Sequence, residues 1–309
     1  MAKKLLLTGG AGMVGRNFQA HSDAVNWTIL APSSAELDLT DQHAVAQYYA
    51  THKPDVVVHA AGKVGGIQAN MADPVGFLDI NTMIGRNVII QAHKAGVKTL
   101  INLASTCMYP AAAPNPLTEE MILTGSLEPT NEGYALAKIF ATRMCQYISS
   151  TDETVHYKTL IPCNLFGLHD KFDPKHSHLV PAIIHKMHIA KTTGATEVEI
   201  WGDGTARREF MFVADLADAI HDAIAAPNAL PELMNIGLGH DHTINEYYQT
   251  VAEVIGWQGT FVHDLTKPVG MKQKLTSIAR QQQWGWSPKS SLRDGLAKTY
   301  EFYLSEIAK

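Results

Sequence analysis

Short apolar runs recur along the first half of the chain, each closed by a turn signal: Leu5-Leu6-Leu7, Trp27-Thr28-Ile29-Leu30, Val56-Val57-Val58 and Leu100-Ile101-Asn102-Leu103. Segments of helix length lie between them. From Phe77 to Lys94, the residues Phe77, Ile80, Ile84, Val88 and Ala92 are three or four apart, which puts them on one helical face. Strands that are apolar throughout, alternating with amphipathic helices, predict a parallel sheet covered on both faces: a doubly wound, Rossmann-like α/β fold. After about residue 165 the alternation loosens into a helix from Pro181, a short strand from Val198 to Trp201, and helices from Asn245 to Ile255 and from Leu292 to Leu304. These predict a smaller α/β lobe with loops over the carboxyl ends of the sheet strands, where ligands bind in open α/β folds. With no repeat or evident linker, the lobes are expected to share one continuous interface.

Composition narrows the function. The 309 residues are 46% hydrophobic, enough for a large core, and a net charge of −5 with no basic run argues against nucleic acid or anionic membrane as the main partner. No apolar stretch reaches the length of a membrane span, and Met1-Ala2-Lys3-Lys4 leads straight into a strand, so a cytoplasmic chain is expected. The sequon Asn26-Trp27-Thr28 is read as coincidence. Cys107, Cys145 and Cys163 form no C-x-x-C pair, which predicts reduced thiols and no zinc site. The pairs His185/His188 and His240/His242 lack a third neighbouring ligand, and no metal is expected.

Thr8-Gly9-Gly10-Ala11-Gly12-Met13-Val14-Gly15 follows the first strand and opens a helix. Glycines at this spacing allow a tight turn, close approach of a diphosphate to backbone, and tight packing of the helix that follows, whose N-terminus favours anions. A dinucleotide is the reading. Enzymes that take NAD usually carry an acid at the end of the second strand, for the ribose 2′-OH; this chain has Ala31-Pro32-Ser33-Ser34, which points to NADP. Ser33, Ser34 and Arg16 are the local candidates for a 2′-phosphate, with Asp38 and Leu39 bordering the adenine or serving as a turn.

Tyr134 and Lys138 are four residues apart on an expected helix and share its face. A cation beside a phenol lowers its pKa, so Tyr134 can give a proton to a developing alkoxide while Lys138 also steadies the ribose. Ser105, at the end of the fourth strand, completes a reductase triad, its hydroxyl holding the substrate oxygen. Two further residues exceed what reduction needs. Cys107 is expected at the active-site rim, though a cysteine is equally a small buried apolar residue. His178, before the Pro181 helix, either faces the same cleft or caps the loop. Together they would form an acid/base pair able to exchange protons on carbons beside a ketone, which is epimerisation. A non-catalytic, dinucleotide-sensing protein of the same fold has no need of Ser105, Tyr134 and Lys138.

From end to end the chain resembles the GDP-L-fucose synthases, the GDP-4-keto-6-deoxy-mannose 3,5-epimerase/4-reductases. The resemblance runs through Gly9 to Gly15, Lys63-Val64-Gly65-Gly66-Ile67, Ser105 to Pro110, Glu128 to Glu132, Tyr134 to Lys138, Asn164 to Asp170, Ser177-His178, Trp201-Gly202 and Arg208-Glu209-Phe210. It implies NADPH, a GDP-linked keto-sugar and a homodimer formed through helices of the cofactor lobe. It makes Cys107 the epimerase base and His178 the acid, with Ser105, Tyr134 and Lys138 serving hydride transfer. The expected cofactor contacts are Gly9, Gly12, Met13, Val14, Gly15, Ser33, Ser34, Asp38, Leu39, Ala60, Ala61, Leu103, Ala104, Lys138, Pro162, Asn164, Leu165 and His178. Those expected for the substrate are Lys186, Trp201, Arg208, Val269 and Lys274. Residues 1–165 would form the NADP-binding lobe, with part of 205–235 returning to it, and 166–309 mainly the GDP-sugar lobe. Related sugars, a 6-deoxy-heptose or a 3,6-dideoxy sugar of the colitose type, remain alternatives. The chain departs from the family at Ala11 and Ser34, where arginines are usual, and at Val269, where Lys267-Pro268-Val269-Gly270-Met271 replaces Lys-Pro-Asp-Gly-Thr.

Overall fold

The computed structural model describes residues 2–173, 177–267 and 271–308. The first half runs β1 (Lys3–Thr8), α1 (Met13–Ala20), β2 (Trp27–Leu30), α2 (Gln42–His52), β3 (Val56–His59), α3 (Ile67–Ala72), α4 (Pro74–Lys94), β4 (Thr99–Leu103), α5 (Glu132–Thr151) and β5 (His156–Pro162). The second runs β6 (Asn164–Phe166), α6 (Leu179–Thr193), β7 (Glu197–Trp201), β8 (Arg207–Arg208), β9 (Phe210–Phe212), α7 (Val213–Ala225), β10 (Leu233–Ile236), β11 (His242–Thr243), α8 (Ile244–Ile255), β12 (Thr260–Asp264), β13 (Gln273–Lys274), α9 (Ala279–Trp284) and α10 (Leu292–Glu306).

Six strands form the main sheet in the order β10-β5-β4-β3-β1-β2, all neighbours parallel. Because side chains alternate across a strand, Leu5 and Leu7 pack with Val58, Leu160 and Ile220 on one face, while Leu6 packs with Val57, Val88 and Leu100 on the other. Both faces are thereby covered. Only β2, at the edge, departs from the expected burial and is partly exposed along its length. The sixth strand, β10, comes from late in the chain, and α7 just before it packs against α1.

Helix limits follow local chemistry more closely than apolar spacing. α4 starts at Pro74, three residues before its first apolar face residue, because the Asp73 carboxylate accepts from the Gly76 N–H at 2.9 Å. α8 starts at Ile244 behind a reciprocal capping box of Thr243 and Glu246. α6 begins at Leu179 with His178 as its N-cap residue.

Glu209, between β8 and β9, is buried to 1% exposure. Its carboxylate accepts from the N–H groups of Leu238 (2.6 Å) and Gly239 (3.0 Å), and from the N–H (2.9 Å) and hydroxyl (2.7 Å) of Thr276. Three chain segments remote in sequence meet there, and burial raises its pKa against these bonds. Glu209→Ala leaves those donors without an acceptor, at about 1–3 kcal/mol for each one that water does not reach. The expected loss is about 3–5 kcal/mol in urea unfolding, with Glu209→Gln, which keeps one acceptor oxygen, losing about half as much. An alanine variant as stable as the parent would remove Glu209 from this role.

Candidate active site

The β1–α1 turn is built so tightly that side chains do not fit. Gly9 has φ +74°, and a Cβ there would stand 2.8 Å from the Ala60 carbonyl carbon; one on Gly15 would stand 2.3 Å from the Gly9 oxygen. The turn therefore offers bare backbone to the cleft above it. α1 opens on that cleft with no capping side chain and no acid in its first turn, an arrangement suited to a diphosphate.

The cleft has a volume of about 870 Å³ and runs along the carboxyl ends of the strands. Every residue expected at the cofactor lines it: Gly9, Gly12, Met13, Val14 and Gly15 in the turn; Ser33, Ser34, Asp38 and Leu39 after β2; Ala60 and Ala61 after β3; Leu103 and Ala104 at the end of β4; Pro162, Asn164 and Leu165 after β5; and Lys138 and His178. Asn164 is held there by its side-chain amide, which donates to the Glu209 carbonyl at 3.1 Å. The residues present suit a dinucleotide.

Ser105, Tyr134 and Lys138 line the same cleft. Lys138 is buried, its Nζ donating to the Leu103 carbonyl at 2.9 Å and lying 5.7 Å from the centre of the Tyr134 ring. Burial draws its pKa down to about 8. The Tyr134 phenol is pushed well up by burial, with Cys107 adding to the rise, so the expectation that the neighbouring cation lowers it fails here. Ser105 caps a single turn over Thr106–Met108, its Oγ accepting the Cys107 N–H at 3.4 Å, which leaves its own hydrogen for a ligand.

That turn buries Cys107. It is 6% exposed among Met108, Tyr109, Ala135 and Ile139 and does not line this cleft, yet its thiol is near enough to Tyr134, Lys138 and Lys274 to interact with all three. Burial pushes the thiol up, opposed by its hydrogen bond with Ser105 and by the charges of Lys274 and Lys138. His178 is open at the cleft mouth, yet surrounding protein draws its pKa down and Lys171 adds to this. At neutral pH the structure thus holds a protonated thiol and a neutral imidazole.

The remaining expected residues fall into two groups. Lys186 on α6 donates to the Glu199 carbonyl, and the Trp201 indole donates to the Glu199 carboxylate at 2.9 Å. Arg208 and Lys274 stand side by side in the β8–β13 register. Val269 lies outside the described residues. His185 and His188 are engaged with Tyr303 and Tyr300, and among the described residues no three His, Cys, Asp or Glu side chains gather for a metal.

Sequence reasoning passed over three features. Lys171 lines the cleft on a segment tied to α1 by Asn17, whose amide donates to the Leu168 carbonyl at 3.0 Å. Lys63 lines it too, paired with Asp73 at 2.5 Å, and its backbone is clasped by the Asn81 amide. Lys63 belongs to a segment already singled out and Lys171 directly follows another, but no local pattern marks a lone lysine. The third is Glu36, which lies outside the cleft lining but whose carboxylate folds back on Ser33 in that lining, so an acid is fastened to the loop after β2 although none occurs from Ala31 to Ser34.

Residues 5–237 match the NAD dependent epimerase/dehydratase family. The chain is 52% identical to a GDP-L-fucose synthase of Azorhizobium caulinodans, covering 98% of this chain and 97% of that one. It is 50% identical to a GDP-L-colitose synthase of Yersinia pseudotuberculosis, covering 98% of each. Among solved structures it is similar to a GDP-mannoheptose C4 reductase of Campylobacter jejuni with NADP bound, at a TM-score of 0.89 and 29% identity over 98% of both chains. The chain belongs to the NAD dependent epimerase/dehydratase family and, within it, to the GDP-L-fucose synthase family that its motifs resemble.

Proposed function

We propose that the chain is an NADPH-dependent epimerase/reductase that converts GDP-4-keto-6-deoxy-D-mannose to GDP-L-fucose. The observation that carries this reading is the meeting of Ser105, Tyr134 and Lys138 on one wall of a dinucleotide-sized cleft, with Cys107 directly behind Ser105. The two relatives at half identity support a GDP-linked keto-sugar as substrate. Bound NADPH supplies the hydride. Ser105 holds the C4 oxygen by its free hydroxyl hydrogen, and Tyr134, kept protonated by burial, donates to that oxygen as it becomes an alkoxide. Cys107 and His178 move the protons at C3 and C5, which the ketone acidifies, with inversion through an enolate. Lys186, Trp201, Arg208 and Lys274 bind the GDP-sugar, in a lobe made mainly by residues 166–309 above a cofactor lobe of residues 1–165.

A second reading keeps the chemistry and changes the sugar to a 3,6-dideoxy ketone; the 50% identity to the colitose synthase favours it almost as strongly. Incubation with a panel of GDP-4-keto-sugars and NADPH, products read by mass spectrometry and NMR, separates the two. We also place the enzyme in the cytoplasm as a homodimer. No helix among the described residues is long and apolar enough to cross a membrane. Val75 and Leu78 on α4 and Leu136, Phe140 and Tyr147 on α5 present an exposed apolar face suited to a second copy.

Tyr134→Phe should lower keto reduction by about 10²–10⁴-fold while leaving proton exchange beside the ketone. Incubation in heavy water should still place deuterium at the carbons next to C4, and unlabelled substrate recovered from the variant alone would refute the division of roles.

Cys107→Ser should abolish that exchange, because a hydroxyl is a far weaker base than a thiol, and His178→Gln should impair it. Undiminished exchange in both variants would make the enzyme a simple 4-reductase.

Reductase kcat/KM should fall as pH rises through about 8, where buried Lys138 loses its proton in the free enzyme. A profile flat to well above that value would detach Lys138 from the step.

A further inference from the structure

The end of β2 carries an arrangement that the functional reading leaves unused. Ser33 and Ser34 line the cleft at the place where the residues after the second strand of such a fold meet the adenosine ribose. The Ser33 N–H and hydroxyl both donate to one oxygen of the Glu36 carboxylate, each at 2.8 Å. In return the Glu36 N–H approaches the Ser33 Oγ at 3.3 Å and the Ser33 carbonyl at 3.1 Å. The loop is not free to drift, since the next residue, Leu37, donates its N–H to the Ser33 carbonyl at 2.9 Å and is buried in the core.

Resting on the reading of the cleft as a nicotinamide dinucleotide site, we propose that Glu36 sets the nucleotide preference: its carboxylate, fastened on Ser33, opposes a 2′-phosphate and keeps NADPH only narrowly ahead of NADH. A phosphate on the ribose needs donors and positive charge. The two donors that Ser33 offers are already taken by an anion, and a 2′-phosphate gains them only by displacing it. The bonds from Ser33 hold the Glu36 pKa below its usual value, so the group is charged at neutral pH. Among the described residues no ion pair offsets that charge. Arg16, the nearest arginine in sequence, has its Nε committed to the Ala11 carbonyl at 3.0 Å. A free 2′-OH meets no such opposition, because a hydroxyl can donate to a carboxylate.

The rival account is a structural one, in which Ser33 and Glu36 merely cap the turn, as such reciprocal pairs do at helix starts. The two accounts part on the ratio of efficiencies. Steady-state kcat/KM with NADPH and with NADH is to be measured for the parent, Glu36→Gln, which removes the charge but keeps an acceptor oxygen, and Glu36→Ala, which frees both Ser33 donors. The NADPH/NADH ratio is expected to rise about tenfold in each variant, the order of one charge contact attenuated by water, with the gain falling on NADPH. Added salt should raise the ratio in the parent more than in Glu36→Gln, because screening relieves repulsion only where the charge remains. Both efficiencies falling together at an unchanged ratio and salt response would reduce Glu36 to a turn cap. Titration of the parent with each dinucleotide, followed by protein fluorescence, separates the levels: binding with an unmoved ratio overturns the proposal alone, and no binding of either overturns the functional reading with it.

Discussion

The buried carboxylate of Glu209 is the knot on which both sides of the cleft depend. It holds the exit of β10, the last strand of the main sheet, to Thr276 just after β13, and it does so from the short link between β8 and β9. Arg208 precedes it directly, and the β8–β13 register sets Lys274 beside Arg208. The segment after Lys274 is laced to the loop leading away from Cys107: the Leu117 N–H donates to the Leu275 carbonyl, and the Ser277 N–H to the Leu117 carbonyl, each at 2.8 Å. Meanwhile the Glu209 backbone carbonyl fixes Asn164 on the cofactor side. One anion thus couples Arg208 and Lys274 with the wall that carries the thiol and with the cleft at Asn164. Such a buried charge is tolerated only because its hydrogen bonds are complete.

What was legible in the sequence is what is local. The glycine turn is a run of consecutive residues whose spacing already states the geometry, and Tyr134 and Lys138 share a helix face for the same reason. Parallel strands buried on both faces announce themselves by unbroken apolar runs, so the fold followed from pattern and resemblance together, and the positions expected at the cofactor all line one cleft. What the sequence does not give is the environment of side chains that distant segments build. Cys107 is two residues from Ser105, but a single helical turn buries it against α5, and no count along the chain gives that burial. Glu36 lies beyond the strand end in sequence, and a turn brings its carboxylate back to Ser33 from three residues further. Lys171 lines the cleft on a segment that Asn17 of α1 ties down, a contact between residues far apart in sequence.

Desolvation explains the electrostatics of the catalytic wall more simply than pairing does. Tyr134, Cys107 and Lys138 are all shifted towards their neutral forms by burial, and the repulsion between Tyr134 and Cys107 and the attraction between Cys107 and Lys138 are secondary. A phenol kept protonated is a donor waiting for an acceptor, not a phenolate in need of a proton, and that is the state a reductase requires before hydride arrives. For the thiol the same burial works against the role of base. Deprotonation of Cys107 requires a partner that makes the thiolate less costly, and Lys274 and Lys138 are the cations whose fields already act in that direction. In the proposed reaction, a substrate diphosphate drawn to Arg208 and Lys274 would weaken the help that Lys274 gives, whereas a ketone accepting from Ser105 and Tyr134 would acidify the carbons that a Cys107 thiolate would deprotonate. Epimerisation in this wall therefore depends on the substrate lowering the demand for a strong base at least as much as on the protein supplying one, which is why the reducible ketone and the exchangeable protons have to share one site.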